Sequence, residues 1–267
     1  MSWQFYYERL AMKFRVLGCS GGQIPGRRLS CFLLDDSLLL DAGSVTSALG
    51  LRAQQKIKDI LITHIHLDHV LALGMLADNL YGKCETSINL WSTGEVIEGL
   101  RKFFFNDHIW PDFTRLTDNN QRVPVMKLRQ LDEERPTQVG DHFVTAVRVH
   151  HVVPSFAFFI EKKAQTLLHV ADTGPTEKVW SSAQKYANLR AVIVEASFPN
   201  RLQEIADASG HLTPRTLALD VAKLGNKDVP ILVTHLKPAF RREIIADLRK
   251  LKNPRLRILA DDDILRL

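Results

Sequence analysis

The run Thr63-His64-Ile65-His66-Leu67-Asp68-His69 puts three imidazoles and a carboxylate into the six positions from His64 to His69. His64 and His66 stand two apart, so on extended backbone they project to one side. Asp68 and His69 follow in the turn that opens the next helix. Donors of this kind at this density suit a divalent cation: zinc first, with manganese or iron also accepted by nitrogen and oxygen ligands. A solvated polar cluster is the plain alternative. Against it, the apolar run Ile60-Leu61-Ile62 leads in and an apolar helix leads out, which is the setting of a built site. The same form returns late in the chain. Asp59-Ile60-Leu61-Ile62-Thr63-His64 and Pro230-Ile231-Leu232-Val233-Thr234-His235 each read as a buried strand ending in Thr-His. A third apolar run, Leu167 to Val170, leads into Ala171-Asp172-Thr173. Sites in layered α/β folds collect where strands end.

The elements that must position these residues can be read from periodicity. Lys13 to Leu17 alternates as a strand, and Gly18 to Gly26 is a Gly/Pro loop. Cys31–Leu34 and Ser37–Leu40, joined by Asp35-Asp36, predict a hairpin. Helices are expected over Ser44–Gln55, Leu67–Asn79, Thr213–Leu224 and Pro238–Leu251. Strands are expected over Ile60–Thr63, from His142 through Ile160, and over Thr166–Val170. Ala191–Glu195 and Ile231–Thr234 are apolar almost throughout, as strands buried on both faces are. The stretch 92–135 is rich in aromatic, Asn, Asp and Pro residues without a clear period and reads as an insertion. Strand groups with helices at both ends of the pattern predict an α/β fold of two mixed β-sheets with outer helices, in one domain over 12–267. Residues 1–11 read as an N-terminal extension.

Composition sets looser bounds. The chain has 267 residues, 45% hydrophobic and 24% charged, enough for a sizeable core. The formal net charge of +5 suits an anionic substrate. The charge is not gathered into a stripe and no Gly/Pro-rich basic arm is present, which argues against a nucleic-acid partner. Three cysteines, Cys19, Cys31 and Cys84, show no paired spacing and predict reduced thiols in a cytoplasmic protein rather than disulfides or a Cys-based zinc site. No run is apolar for long enough to span a membrane, and the first residues lack the apolar core of a secretory signal.

The H-x-H-x-D-H motif resembles that of the metallo-β-lactamase superfamily, which implies an αββα sandwich and two divalent metal ions. In that resemblance His64, His66 and a later histidine bind one ion. Asp68, His69 and His235 bind the other, and Asp172 bridges them. Asp41 in Leu40-Asp41-Ala42-Gly43 matches an aspartate that supports the ligands from behind. The later histidine is His150 or His151. His151 shares a strand face with Val147 and Val149 and precedes Val152-Val153-Pro154-Ser155, so it is preferred. Two further segments, Val194-Glu195-Ala196-Ser197-Phe198 and Ser209-Gly210-His211-Leu212-Thr213-Pro214, are similar to those of the phosphodiesterase branch. There the histidine stands near the scissile phosphate and the glutamate orients it. This gives Glu195, His211 and Asp68 catalytic parts, with Asp68 orienting the attacking water. Protonating the leaving oxygen is a task a placed histidine performs near neutral pH. The bland reading of 209–214 is a helix start, with Thr213 ahead of Pro214.

The class II 3′,5′-cyclic-nucleotide phosphodiesterases are similar from Met12 to the end. The resemblance is carried by Leu17-Gly18-Cys19-Ser20-Gly21-Gly22, Ala77-Asp78-Asn79-Leu80-Tyr81, the segment from Asn106 to Phe113, Asp172-Thr173-Gly174-Pro175-Thr176 and Thr234-His235-Leu236-Lys237-Pro238. It implies hydrolysis of cAMP or cGMP to the 5′-monophosphate. A tRNA 3′-processing endonuclease shares the metal set and the Glu195–His211 pair, and a non-catalytic metal-binding protein is the alternative from another class. The nucleobase needs its own grip, and Asn106 and Trp110 supply an amide and an aromatic face for it. The competing reading is that this segment closes a turn or packs a contact in a homodimer. Two departures stand out: Ala157, where relatives usually have glycine nearby, and Asp261-Asp262-Asp263, where a Gly-Asp turn is commoner.

Overall fold

Along Phe156–Lys162 the side chains part in turn. Phe156, Phe158 and Ile160 join one apolar cluster, while Ala157 and Phe159 join another. A strand covered on both faces must lie in a sheet with a layer on each side. In the computed structural model, which describes residues 12–83, 86–117, 123–225 and 228–267, those layers are two sheets face to face with helices outside. The expected extension 1–11 and Cys84 lie outside the described residues.

The first sheet contains β1 (Lys13–Gly18), β2 (Cys31–Leu34), β3 (Leu38–Leu40), β4 (Asp59–Leu61), β5 (Ile88–Ser92) and β6 (Met126–Gln130). The second contains β7 (Thr137–Val139), β8 (His142–Arg148), β9 (Phe156–Lys162), β10 (Gln165–His169), β11 (Leu189–Glu195), β12 (Ile231–Thr234) and β13 (Leu256–Ile258). The last strand, β14 (Ile264–Arg266), returns to pair with β1. Each sheet has seven strands, ordered β14-β1-β2-β3-β4-β5-β6 and β13-β12-β11-β10-β9-β8-β7. In both, antiparallel hairpins pass into parallel strands, from β3 onward in the first and from β10 onward in the second. Phe14, Phe32 and Leu39 of the first sheet share a core with Phe158, Leu167 and Ile193 of the second. Trp180, Leu217 and Ile244, on the outer helices, pack with Phe159, Val192 and Val194 on the far side of the second sheet.

The β2–β3 hairpin forms as expected, and Asp35 and Asp36 both take positive φ, 47° and 59°. Asp is one of the residues that tolerates this region. Ser44–Gln55 is not one helix. It breaks into Val45–Ala48 and Leu51–Gln54, because Leu49 is extended and Gly50 starts the second turn. Leu67–Asn79 likewise divides into Leu67–Val70 and Leu73–Leu80. The stretch 92–135 is more regular than its composition suggests. It holds the helix Gly94–Phe103 and the edge strand β6, which together make a crossover from β5. Among the described residues, 104–117 and 123–125 belong to none of these elements. Ala157 is buried opposite Val147 without breaking the β8–β9 register. At the other departure, Asp262 itself takes φ 71°, the conformation for which a glycine would be commoner.

Candidate metal centre

The parallel strands of both sheets end at one place. Asp41 follows β3, His64 follows β4, Asp172 follows β10, Glu195 closes β11 and His235 follows β12. Asp41, Ala171 and His235 have φ of 55°, 65° and 61°, a region that non-glycine residues seldom occupy. Such backbone strain gathers at functional sites, where packing over-determines it.

The donors meet in two groups, His64, His66 and His151, and Asp68, His69, Asp172 and His235. His64 Nε2 and His66 Nδ1 are 3.1 Å apart, and His151 Nε2 lies 3.2 Å from the same His66 nitrogen. His69 Nε2 and His235 Nε2 are 3.3 Å apart, and Asp68 Oδ2 is 3.1 Å from His235 Nε2. Asp172 Oδ2 belongs to neither group alone. It lies 3.8, 3.4 and 3.2 Å from the Nε2 atoms of His64, His69 and His235.

Four of the five rings, all but His66, have a partner on the far side. His69 Nδ1 is 2.7 Å from Asp41 Oδ2, and His151 Nδ1 is 2.8 Å from the Gly210 carbonyl. His235 Nδ1 is 2.9 Å from Ser197 Oγ, and His64 Nδ1 is 3.0 Å from Thr63 Oγ1, whose own proton goes to Asp41. A ring that donates Nδ1–H outward in its neutral form turns a bare Nε2 toward the centre, the tautomer a metal ligand needs. Facing bare nitrogens across about 3 Å cannot satisfy one another, whereas a cation between them would. The donor set therefore fits metal ions. Burial, reinforced by neighbouring imidazoles, keeps His64 and His66 below the usual histidine range, and burial does the same for His151, so these rings are neutral. For His69 burial is outweighed by Asp172 and Asp41, which push it above that range. Asp68 and Asp172 are held below the usual carboxylate range despite burial, Asp68 chiefly by His235 and His69, Asp172 by His235 and His69.

Asp41 is fully buried and accepts from Thr63 N at 2.9 Å and from Thr63 Oγ1 at 3.0 Å. Gly43, two residues on, lies so close to the motif turn that a Cβ would meet the Asp68 carbonyl at 2.1 Å. The Asp-x-Gly spacing thus serves two contacts, a carboxylate behind His69 and bare backbone under Asp68.

His211 comes to the same place from the loop before the helix Pro214–Ala222, and Thr213 does cap that helix. His211 Nδ1 is 2.7 Å from Glu195 Oε1, and its donor atom clusters with those of His151 and Asp172. Glu195 is fully buried and also accepts from Thr173 N at 2.9 Å and Leu212 N at 3.3 Å. Burial disfavours the charged imidazole of His211, but the charge and hydrogen bond of Glu195 prevail and raise its pKa.

The other expected residues fall elsewhere. β8 ends at Arg148, so strand alternation does not choose between the two histidines. His150 is exposed and joins no donor group, its backbone being tied to Thr173 and Gly174. Asn106 Oδ1 accepts from His108 N at 3.0 Å and Ile109 N at 2.8 Å, while Nδ2 reaches the Lys102 carbonyl at 3.2 Å. Both ends of that amide are engaged inside the loop. Trp110 packs so tightly on the helix Leu73–Leu80 that a Cβ on Gly74 would lie 2.9 Å from its ring. Its indole contact is with that helix. Ser197 was not singled out by sequence. Its hydroxyl donates to Glu195 Oε2 and accepts from His235 Nδ1, linking the two sides of the site. His169, buried beneath Asp41 with Nε2 3.7 Å from its carboxylate, was also missed. Its place in an apolar strand gave no signal.

The family model for class-II cAMP phosphodiesterases matches residues 50–266. This chain belongs to that family. A Yersinia pestis protein named "Probable 3′,5′-cyclic-nucleotide phosphodiesterase" is 27% identical, over 90% of this chain and 82% of that protein. A ribonuclease Z from Borrelia garinii is 23% identical, over 76% of this chain and 79% of its own length. The unliganded yeast PDE1 structure superposes with a TM-score of 0.80 at 21% identity, covering 97% of this chain and all of that one (100%). The metallo-β-lactamase fold protein YhfI from Bacillus subtilis gives 0.75 at 20% identity, over 96% of this chain and 100% of its own. The class-II phosphodiesterase chain is thus built on the metallo-β-lactamase sandwich. Among the described residues no helix is long and apolar enough to cross a membrane.

Proposed function

We propose that this chain hydrolyses 3′,5′-cyclic nucleotides to 5′-monophosphates at a centre of two divalent ions, zinc being the ion its donors suit best. His64, His66 and His151 would hold one ion, Asp68, His69 and His235 the other, with Asp172 shared. When bound, such ions supply an acidified water as nucleophile and bind charge developing on phosphorus. Asp68, partly exposed at the edge of the cluster, would orient that water.

The observation that carries the reading is the His211–Glu195 pair beside the cluster. Cleaving a cyclic phosphodiester requires O3′ to leave, and an alkoxide leaves slowly unless protonated. His211 has Nδ1 committed to Glu195, so Nε2 is the nitrogen left to give a proton. Glu195 raises the pKa of His211, which keeps that proton available near neutral pH. Hydrolysis of a lactam or thioester has no need of this pair.

The test is to offer cAMP, cGMP, bis-nitrophenyl phosphate and a precursor tRNA side by side to metal-replete protein. Turnover of a cyclic nucleotide well above the tRNA is expected. Trimming of the tRNA with both cyclic nucleotides untouched would overturn the reading in favour of an endonuclease. Elemental analysis of the same sample should find zinc, and about two ions per chain.

A further inference from the structure

Beyond the metal donors and the His211–Glu195 pair, the site contains one more charged group with no assigned part. Lys237 follows His235 by two residues and is half-buried. Its Nζ donates to the Gly21 carbonyl at 3.3 Å and stands 5.3 Å from the centre of the Phe198 ring. Both contacts lead to the reacting end of the site. The Phe198 ring lies 5.8 Å from that of His211. Gly21 is pressed on His235 so closely that a Cβ would fall 2.6 Å from its Nδ1. The Lys237 backbone is tied in as well, its N–H donating to the Ser197 carbonyl at 3.4 Å.

An ammonium has three donors, and one carbonyl uses one of them. Among the described residues no carboxylate pairs with Lys237, whereas most other half-buried cations, such as Arg28, Lys162 and Lys223, have one. A half-buried cation with spare donors, beside a proposed acid, is a receptor for an anion.

We infer that Lys237 is a phosphate-binding residue of this site. Held over Phe198 and Gly21, its ammonium takes a non-bridging oxygen of the phosphodiester and retains the more highly charged monophosphate product. This rests on the proposed phosphodiester chemistry, and the test separates the two.

The variants are Lys237→Met, which keeps the stem and removes the charge, and Lys237→Arg, which keeps the charge. Inhibition by inorganic phosphate is measured against bis-nitrophenyl phosphate, and inhibition by 5′-AMP and by adenosine against cAMP. Lys237→Met should weaken inhibition by phosphate and 5′-AMP roughly tenfold or more, about the loss of one hydrogen bond to a charged group. KM for cAMP should rise, while metal content and inhibition by adenosine hold. Lys237→Arg should recover part of the loss. Equal phosphate inhibition in wild type and Lys237→Met overturns the inference. So does a joint fall in metal content, thermal stability and adenosine affinity, which marks a packing residue. If Lys237→Met does not fold, the softer Lys237→Gln is judged by the same readouts. If no cyclic nucleotide is turned over but phosphate inhibition still depends on Lys237, the proposed substrate fails and the phosphate site stands.

Discussion

The two sheets supply the metal centre in different ways. The first sheet delivers His64, His66, Asp68 and His69 from one unbroken segment that runs from the end of β4 into the helix Leu67–Val70. The second delivers His151, Asp172, His211 and His235 from four separate loops, each beyond a different strand or helix. Behind the first set stands mainly one carboxylate, Asp41, serving His69 directly and His64 through Thr63. Behind the second stand the Gly210 carbonyl, Ser197 and Glu195. A contiguous segment keeps its donors together by covalent geometry. A dispersed set is held only by sheet register, so each member needs its own support. The echo of Thr63-His64 in Thr234-His235 hides this difference. β4 neighbours β3, which carries Asp41, whereas β11 separates β12 from β10, which leads to Asp172. Thr63 bonds Asp41, while Thr234 bonds the Cys19 carbonyl. The likeness is that of buried strands ending at a site, and the two strands do not occupy equivalent places.

The sharpest way to break the comparison is to remove one donor from each half. Asp172 Oδ2 faces rings from both halves, so Asp172→Ala should lose both ions and nearly all turnover. His66→Ala should keep about one ion per chain. Elemental analysis after reconstitution decides it, and equal loss in the two variants would mean that the ions bind only as a pair.

Next in size is His211→Ala. Turnover of cAMP should fall roughly 10²–10⁴-fold while the metals stay, because proton supply and metal binding are separate tasks. On bis-nitrophenyl phosphate, whose leaving group needs little protonation, the fall should be smaller. Equal falls on the two substrates would give His211 another role.

Ser197→Ala tests whether the dispersed half needs its supports. It removes the acceptor for His235 Nδ1–H and one donor to Glu195, and should lower metal affinity or turnover by about 10–100-fold, as loss of such outer partners does. Ser197→Thr should restore most of it. No change in either quantity would show that His235 is oriented by its backbone alone.

Away from the site the halves are pinned by Asp35 at the β2–β3 turn, whose carboxylate lies 2.7 Å from Lys162 Nζ on β9. Burial opposes the charged form of Asp35, but His142, Lys162 and the Lys13 amide outweigh it and lower its pKa. A lowered folded pKa means the stabilisation is complete above the ordinary carboxylate range and is lost as pH falls through the folded value. Asp35→Asn should therefore cost about 1–3 kcal/mol near neutral pH, with the difference from wild type shrinking in acid. Denaturant titrations at both pH values measure it. The smallest effect is expected for Asn106→Ala, about 1 kcal/mol of stability from an opened turn, with KM for cAMP unchanged. A raised KM without a loss of stability would return Asn106 to the base-binding role.

What could be read along the chain was whatever adjacent residues decide. Six consecutive positions bring His64, His66, Asp68 and His69 together wherever a strand meets a helix, and alternating or continuous apolar runs mark most of the strands. Asp41 and Gly43 were legible as a motif, but the reason for the glycine, the Asp68 carbonyl 2.1 Å from its missing Cβ, was not. Sequence narrowed the later histidine to two neighbours and preferred His151. The structure places His151 because Gly210, fifty-nine residues on, accepts its Nδ1 proton. Ser197 acquires its role from a histidine thirty-eight residues away, and Lys237 its position from Gly21, 216 residues back. Nothing in the sequence around Asn106 shows that its amide is engaged within the loop. Covalent connectivity fixes near neighbours, while the register of two seven-stranded sheets decides which distant side chains share a hydrogen bond.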